Sequence, residues 1–214
     1  MSTLVLNAAT RDDLVVAGYS VQRSVGSLDA FRVLCRELGP ILREDAIRVR
    51  PDAKTYVARS EAIPFHTDHP DAHWIAWYCV SQDVGAGANL LLDGWALVRA
   101  LSRETQAGLV ATHLQCDSRD GGPPVNLLPI WIPPSVCAQP RLFYAPWLSA
   151  TEGEWKRRAA LVALQNAISV QSISPISVLL SPGDVLLIDN HRMLHGRGSI
   201  RKDSKRELLR IWIA

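Results

Sequence analysis

The sequence lacks the features that mark several protein classes. It has only four cysteines in 214 residues and no C-x-x-C pair, so we predict buried reduced thiols, as in a cytoplasmic protein, rather than a disulfide framework. No apolar run approaches the length of a transmembrane helix. No basic segment followed by an apolar core opens the sequence, so we also expect no signal peptide.

The sequence also lacks charge-dense and low-complexity tracts. The hydrophobic fraction is 48%, which argues against disorder. The formal net charge is only +2 and the basic residues are scattered, so the pattern of a nucleic-acid-binding protein is missing. Without an internal repeat or a linker, a chain of this length is within the range of one hydrophobic core. We therefore predict one domain over residues 1–214, with neither a nucleic-acid nor a membrane partner.

Helical segments are few. The clearest one has apolar residues at i, i+3, i+4 and i+7, namely Phe31, Leu34, Cys35 and Leu38. Ser27 is predicted to cap its start and Gly39 to end it. Asp93 is expected to cap another short helix, and Thr151 with Glu154 forms a capping box for a third.

Strand-like segments make up much of the remainder. They are, in chain order, Trp74–Val80, Asn89–Leu92, Ser177–Leu180, Asp184–Asp189 and Glu207–Ile213. Many short strands with few helices favour a β-sandwich or barrel with helices packed outside, although the pattern leaves the topology open. A polar, proline-rich stretch over residues 118–139 is interpreted either as a lid over a substrate or as a surface insertion.

An imidazole and a carboxylate are two residues apart in His66-Thr67-Asp68. Residues i and i+2 of an extended segment point to the same side, so both could bind one metal. His195 follows a strand-like run near the C-terminus and could be the third ligand. Two histidines and one carboxylate are the ligands of the non-haem Fe(II) facial triad. Alone, an H-x-D pattern is a weak signal, and a surface turn is an equal alternative.

The wider sequence resembles the taurine dioxygenase and clavaminate synthase-like (TauD/TfdA) family of Fe(II)/2-oxoglutarate-dependent oxygenases. The similar blocks, in the family's order, are Ile63-Pro64-Phe65-His66-Thr67-Asp68, Trp77-Tyr78-Cys79, Gly85 to Gly94, Ser181 to Arg197, and Arg206 with Arg210. The resemblance implies a mainly β fold with flanking helices, the double-stranded β-helix (jelly roll, cupin-like). It also implies that His66, Asp68 and His195 bind the metal.

The same resemblance implies the roles of three further residues. Arg206 matches the arginine that fixes 2-oxoglutarate, and a planar guanidinium suits a carboxylate. Asn89 stands where relatives carry a threonine that bonds 2-oxoglutarate, and an amide can also donate and accept. Arg210 is expected to bind an anionic group of the substrate or to support 2-oxoglutarate. Asp68 favours oxygenation, because halogenating relatives carry a small residue there.

The implied protein is an Fe(II)/2-oxoglutarate-dependent dioxygenase that uses O2. Its expected reaction is hydroxylation of an unactivated C–H bond in a small molecule, either an amino acid or a natural-product intermediate. No catalytic residue beyond the metal centre is predicted, and the oligomeric state is left open. Two alternatives remain: a zinc-dependent hydrolase that uses the same triad, and a non-catalytic jelly-roll binding protein.

Other polar and aromatic residues receive weaker predictions. His69 and His73 are expected to be exposed or to lie beside the ligands. His191 is not expected to bind the metal, since residues four apart on a strand do not converge as on a helix. Two arginines, Arg192 and Arg197, are expected to pair with Asp189 or other local carboxylates. Trp131 and Trp147 are candidates for the substrate pocket, and His113 is expected to be a structural histidine in a strand-like segment.

Overall fold

A computed structural model of the chain describes residues 8–50, 53, 55–115, 128–150 and 155–214. Its helices are α1 (Ala8–Ala17), α2 (Leu28–Leu38), α3 (Gly94–Ala100), α4 (Arg103–Ala111) and α5 (Trp155–Gln171), with a 3-10 turn at Tyr56–Ala58. Its strands are β1 (Tyr19–Gln22), β2 (Ile41–Arg48), β3 (Ile63–His66), β4 (Trp74–Ser81), β5 (Asn89–Asp93), β6 (His113–Gln115), β7 (Leu128–Pro129), β8 (Trp131–Ile132), β9 (Arg141–Leu142), β10 (Ser149–Ala150), β11 (Ile176–Val178), β12 (Val185–Asp189), β13 (Met193–Arg197) and β14 (Glu207–Ile213). Among these described segments, no helix has the length and apolar character needed to cross a membrane.

Two antiparallel sheets form the centre of the molecule. The major sheet has the strand order β1-β12-β4-β14-β2, and the minor sheet has the order β11-β5-β13-β3. Two small sheets, β10-β6-β7 and β8-β9, lie beside them in the chain's middle third. This architecture confirms the predicted mainly β fold with flanking helices, the jelly roll.

Strand β4 shows how side-chain alternation builds two cores at once. Ile75 and Trp77 belong to the core between the two sheets, together with Leu91 of the minor sheet. The alternate residue Tyr78 faces the other way, and its ring packs 5.5 Å from that of Phe31 on α2. Because successive strand residues point to opposite faces, a central strand covered on both sides is apolar throughout.

A third core covers the outer face of the minor sheet. Leu92 of β5 and Leu194 of β13 pack there with Leu109 of α4 and Leu164 of α5. The molecule is thus layered as helix, major sheet, minor sheet and helices. The end of β3 pairs with the middle of β13, and Arg210 of β14 contacts Asp68 just beyond β3, so the candidate site lies there.

The predicted caps of the helices are confirmed where the structure describes them. The Ser27 hydroxyl accepts a hydrogen bond from the Ala30 backbone N–H, and α2 ends at Gly39. Asp93 accepts from the N–H of Ala96 at the start of α3. The capping box of Thr151 and Glu154 lies outside the described residues.

Some expectations from the sequence were wrong or remain outside the described residues. Helices α1 and α4 were not predicted, whereas His113, which was expected in a strand-like segment, begins β6 directly after α4. Cys35 and Cys79 are buried free thiols, as predicted, whereas the free thiol of Cys137 is only partly buried and Cys116 is not described. Of the stretch 118–139, the described part, residues 128–139, supplies β7 and β8 and lines neither cavity discussed below.

Candidate metal and cosubstrate site

Two neighbouring strands bring the three predicted ligands together. His66 ends β3 and is the direct cross-strand partner of His195 on β13. Asp68 follows two residues after His66, and its carboxylate lies 3.7 Å from His66 Nε2 and 3.8 Å from His195 Nε2. The ligand atoms of all three residues lie within 4.8 Å of one another. The structure therefore places one carboxylate and two imidazoles around a common point.

The orientation of these side chains suits a metal. His66 Nδ1 lies 2.8 Å from the Pro64 carbonyl oxygen and donates to it, which turns Nε2 toward Asp68. His195 Nδ1 has no hydrogen-bond partner among the described residues. This buried set of two nitrogens and one carboxylate fits the ligand preferences of non-haem Fe(II).

The charges of the group also suit a metal. Burial favours the neutral form of Asp68, but Arg210 and the two imidazoles outweigh it and hold the pKa of Asp68 well below its usual range. Burial, and then the charge of His66, lowers the pKa of His195 to about 3. At neutral pH the site therefore holds an anionic carboxylate and a neutral imidazole, the forms that coordinate metals.

The turn that carries Asp68 is held by Asn190. Its side-chain oxygen accepts a hydrogen bond of 2.7 Å from the Asp68 backbone N–H, and its amide group donates to the carbonyl oxygens of His69 and Ala72. Asn190 is almost fully buried. Sequence reasoning included Asn190 in a block of family resemblance but gave it no role; its contacts show that it fixes the shape of the turn that carries Asp68.

Arg210 has different partners from those expected. One of its terminal nitrogens lies 2.9 and 3.1 Å from the two Asp68 oxygens, and the other donates to Asp45 at 3.1 Å. The Trp212 indole also donates to Asp68, at 2.9 Å. Trp212 is two residues beyond Arg210 on β14, a spacing that the sequence could have revealed. Asp45 is the cross-strand partner of Arg210 on β2, which the sequence gave no reason to expect.

Arg206 is a buried cation at the start of the last strand, with only 5% of its surface exposed. It donates a 3.0 Å hydrogen bond to the Asn89 side-chain oxygen, and its Nε has no partner among the described residues. Burial, and then the charge of Arg197, lowers the pKa of Arg206 to about 10. Arg206 passes close to Gly87, where a Cβ atom would lie 2.7 Å from Arg206 Cδ. The arrangement provides a charged donor group for an anion.

The expected pairing with a nearby carboxylate holds for Arg192 but is wrong for Arg197. Arg192 forms its ion pair with Asp93, at 2.7 Å, and not with Asp189. Arg197 donates to the backbone carbonyl oxygens of Arg59 and Glu61 at 2.8 and 2.9 Å, and it forms no ion pair with a described carboxylate. Local sequence could not reveal these partners, because each lies on a different strand or loop.

The structure also separates His191 from the triad. The ligand atoms of His73, Asp189 and His191 lie within 4.8 Å of one another, but the rings of His73 and His191 are stacked at 4.8 Å with an angle of 14°. A metal lies in the plane of each imidazole that binds it, and two stacked rings cannot both meet that condition.

His69, which was expected to be exposed or beside the ligands, is largely buried and stacks on Trp212 at 5.7 Å.

Two cavities meet at the triad. A cavity of about 340 Å³ opens beside His66 and Asp68. Its most distinctive walls are aromatic and charged, namely Tyr56, Trp147, Trp212, Arg43, Asp45 and Arg210. A narrower pocket on the other side is lined by His195, Asn89, Arg197 and Arg206. Trp147, a predicted candidate for the substrate pocket, therefore lines the larger cavity. Trp131, the other candidate, is buried in the core that covers the outer face of the minor sheet.

Comparisons with known proteins identify a family from the sequence and similar folds among solved structures. The family profile described as "Taurine catabolism dioxygenase TauD, TfdA family" matches residues 14–212. Comparison with curated proteins gives no match. An asparagine oxygenase solved with Fe(II), 2S,3S-3-hydroxyasparagine and succinate is 20% identical, with a TM-score of 0.76 over 96% of this chain and 77% of that chain.

Other solved structures with the same fold come from the non-heme iron oxygenase OrfP. Its complex with Fe and alpha-ketoglutaric acid is 19% identical, with a TM-score of 0.71 over 97% of this chain and 80% of that chain. Its complex with Fe, succinate and (3S)-hydroxy-L-Arg is 20% identical, with a TM-score of 0.70 over 94% and 77% of the two chains. Since the family profile spans nearly the whole sequence, the chain belongs to the TauD, TfdA family of dioxygenases, as its motifs indicated.

Proposed function

We propose that this enzyme hydroxylates an unactivated C–H bond of an amino acid or a closely similar small molecule. As a member of its family it is an Fe(II)/2-oxoglutarate-dependent oxygenase that consumes O2. One observation carries the assignment of the site: a buried His66–Asp68–His195 cluster lies next to Arg206, a buried cation that has no carboxylate partner among the described residues.

In this proposal His66, Asp68 and His195 hold iron, and Arg206 with Asn89 holds 2-oxoglutarate. The bound iron and 2-oxoglutarate supply the activation of O2 that attack on a C–H bond requires. The protein contributes orientation: Pro64 fixes the His66 ring and Asn190 fixes the turn carrying Asp68.

The proposed substrate site is the cavity of about 340 Å³ beside His66 and Asp68. Arg43 and Arg210 both contact the Asp45 carboxylate, at 2.7 and 3.1 Å from its Oδ2 atom. The cavity therefore presents two guanidinium groups and one carboxylate, which complement the carboxylate and ammonium groups of an amino acid. The solved structures with hydroxyasparagine and hydroxy-L-Arg support this class of substrate.

The alternatives raised by the sequence are not favoured. A zinc-dependent hydrolase could use the same three ligands but would give Arg206 no task. A binding protein without catalysis would not require a complete ligand set. We further propose that residues 1–214 act as one domain without a nucleic-acid partner. We also propose that the enzyme works in the cytoplasm, because its described cysteines are free thiols.

An anaerobic titration tests the core of the proposal. The protein is mixed with Fe(II) and 2-oxoglutarate under nitrogen, and the visible spectrum is recorded. We expect a weak charge-transfer band that needs both components. Amino acids are then screened in air for substrate-dependent release of succinate. Absence of the band, with hydrolysis supported by Zn²⁺ instead, would overturn the proposed function.

A further inference from the structure

Arg197 is a buried cation that the activity described so far does not use. Its exposed fraction is 3%. One terminal nitrogen, Nη2, donates to the carbonyl oxygens of Arg59 and Glu61, but Nε and Nη1 have no partner among the described residues. Buried guanidinium groups are normally paired. The unpaired side of Arg197 therefore calls for a ligand.

Strand geometry directs Arg197 into the candidate cosubstrate pocket. It lies two residues after His195 on β13, and residues i and i+2 of a strand share a face. Arg197 lines the same narrow pocket as His195 and Arg206.

Asn89 links the two arginines of that pocket. Its backbone is the cross-strand partner of Arg197 on β5, and its side chain accepts a hydrogen bond from Arg206. Both arginines therefore neighbour one asparagine, and all three residues line the same pocket.

We propose that Arg197 is a second guanidinium for 2-oxoglutarate, binding with Arg206 the carboxylate that is remote from the iron. This inference rests on the proposed function of the site. Two adjacent buried cations repel one another, and an anion between them removes the repulsion and supplies acceptors for the unpaired N–H groups. Arg197 would thus select a dicarboxylic oxo acid over a monocarboxylic one.

Arg197 also has a structural task, because it ties the segment around Arg59 and Glu61 to β13. The test must therefore separate a contact with the cosubstrate from support of the fold. Pyruvate provides the separation, since it has the same oxo-acid end as 2-oxoglutarate but no remote carboxylate. Arg192, in the turn before β13, provides the matched control, because it also donates to backbone carbonyl oxygens of a distant segment but lies outside the pocket.

The experiment measures the binding midpoints of 2-oxoglutarate and pyruvate to the Fe(II)-loaded protein under nitrogen, by the charge-transfer band and by calorimetry. Arg197→Gln should weaken 2-oxoglutarate binding by about 10- to 100-fold and leave the pyruvate midpoint within about twofold of wild type. Arg197→Lys, which keeps a charge without the planar fork, should cause an intermediate loss for 2-oxoglutarate. Arg192→Gln should change neither midpoint.

The outcomes distinguish this inference from the proposed function. Equal weakening of both ligands, or an unchanged 2-oxoglutarate midpoint, would show that Arg197 only supports the fold and would overturn the inference. If Arg197→Gln does not fold, the Arg197→Lys variant decides the matter by the same comparison. Failure of the wild-type protein to bind 2-oxoglutarate would instead overturn the proposed function itself.

Discussion

At the scale of single residues, the most informative contacts are those of Asp68. Its carboxylate is bonded by Arg210 and by the Trp212 indole while it also faces two imidazoles. These donors favour the charged carboxylate and fix its orientation, as supporting residues do in metal sites. Arg210 therefore has a positioning role in addition to its proposed contact with substrate.

Replacement of Asp68 tests the assignment of the ligands. Asp68→Ala should weaken Fe(II) binding by more than about 100-fold, because it removes the only anionic ligand of the proposed triad. This loss should be larger than the loss caused by removing a residue that only supports a ligand. His195→Ala should behave in the same way, whereas His191→Ala should retain iron. Calorimetric titration with Fe(II) under nitrogen measures all three. The opposite behaviour of the two histidine variants would show that the wrong histidine was assigned.

Arg206 provides a second test at this scale. Arg206→Lys should weaken 2-oxoglutarate binding by about one to two decades, because a lysine cannot form two parallel hydrogen bonds to a carboxylate. Iron affinity should be nearly unchanged. Arg210→Lys is compared with it and should act mainly on substrate affinity. A 2-oxoglutarate titration with saturating Fe(II) under nitrogen compares them, and a large shift confined to Arg210→Lys would assign the role to that residue instead.

At the scale of elements, the pairing of β3 with β13 determines whether a site exists. His66 and His195 face each other across these strands, and the pairing is irregular between His195 and Arg197. Gly196 occupies this irregularity, where a Cβ atom would lie 2.7 Å from the Ile63 carbonyl oxygen. The close approach of the two backbones therefore requires glycine.

Substitution of Gly196 should separate the two strands. Gly196→Ala is expected to lower the free energy of unfolding by about 1–3 kcal/mol and to weaken Fe(II) binding, because His195 moves away from His66. Gly198→Ala is the matched control: a Cβ atom there meets nothing within 4 Å among the described residues. Urea unfolding and Fe(II) titration measure both effects. Equal stability and metal affinity in the two variants would contradict the importance of this close approach.

At the scale of the whole molecule, burial of histidines links stability to acidity. Burial, and then the charge of His191, lowers the pKa of His73 to about 4, from 6.5. Between pH 6.5 and about pH 4, His73 therefore binds fewer protons in the folded protein than in the unfolded chain. The contribution of His73 to the free energy of unfolding falls as the pH falls through this range. Burial raises the pKa of the neighbouring Asp189 to about 6, so its protonation partly offsets that loss in the same pH range.

Removal of the titrating ring should make the molecule more resistant to acid. In His73→Phe the stacking on Trp74 is kept, but the penalty for protonation disappears. Between pH 7 and pH 4.5, the variant should lose about 1–2 kcal/mol less free energy of unfolding than wild type. Urea unfolding of the metal-free proteins at both pH values measures the difference. An identical pH dependence would show that His73 does not contribute to acid unfolding.

The sequence by itself determined the elements whose signals are local. The apolar spacing and the two caps predicted α2, and the limits of β14 were predicted to the residue. The family motifs predicted the jelly roll. His66 and Asp68 were expected on one side of an extended segment, because every second side chain of such a segment points to the same face. These features depend on neighbours in the chain, so they can be read without knowledge of the fold.

Only the tertiary structure decided which distant groups meet. It joined His195 to His66, gave Arg210 two carboxylate partners, and left part of the Arg197 guanidinium without a partner among the described residues. Each outcome depends on the pairing of strands that are far apart in the sequence, and a shift of one residue would turn every side chain to the other face. Local pattern cannot fix that pairing, because it is set by the packing of the two sheets as a whole.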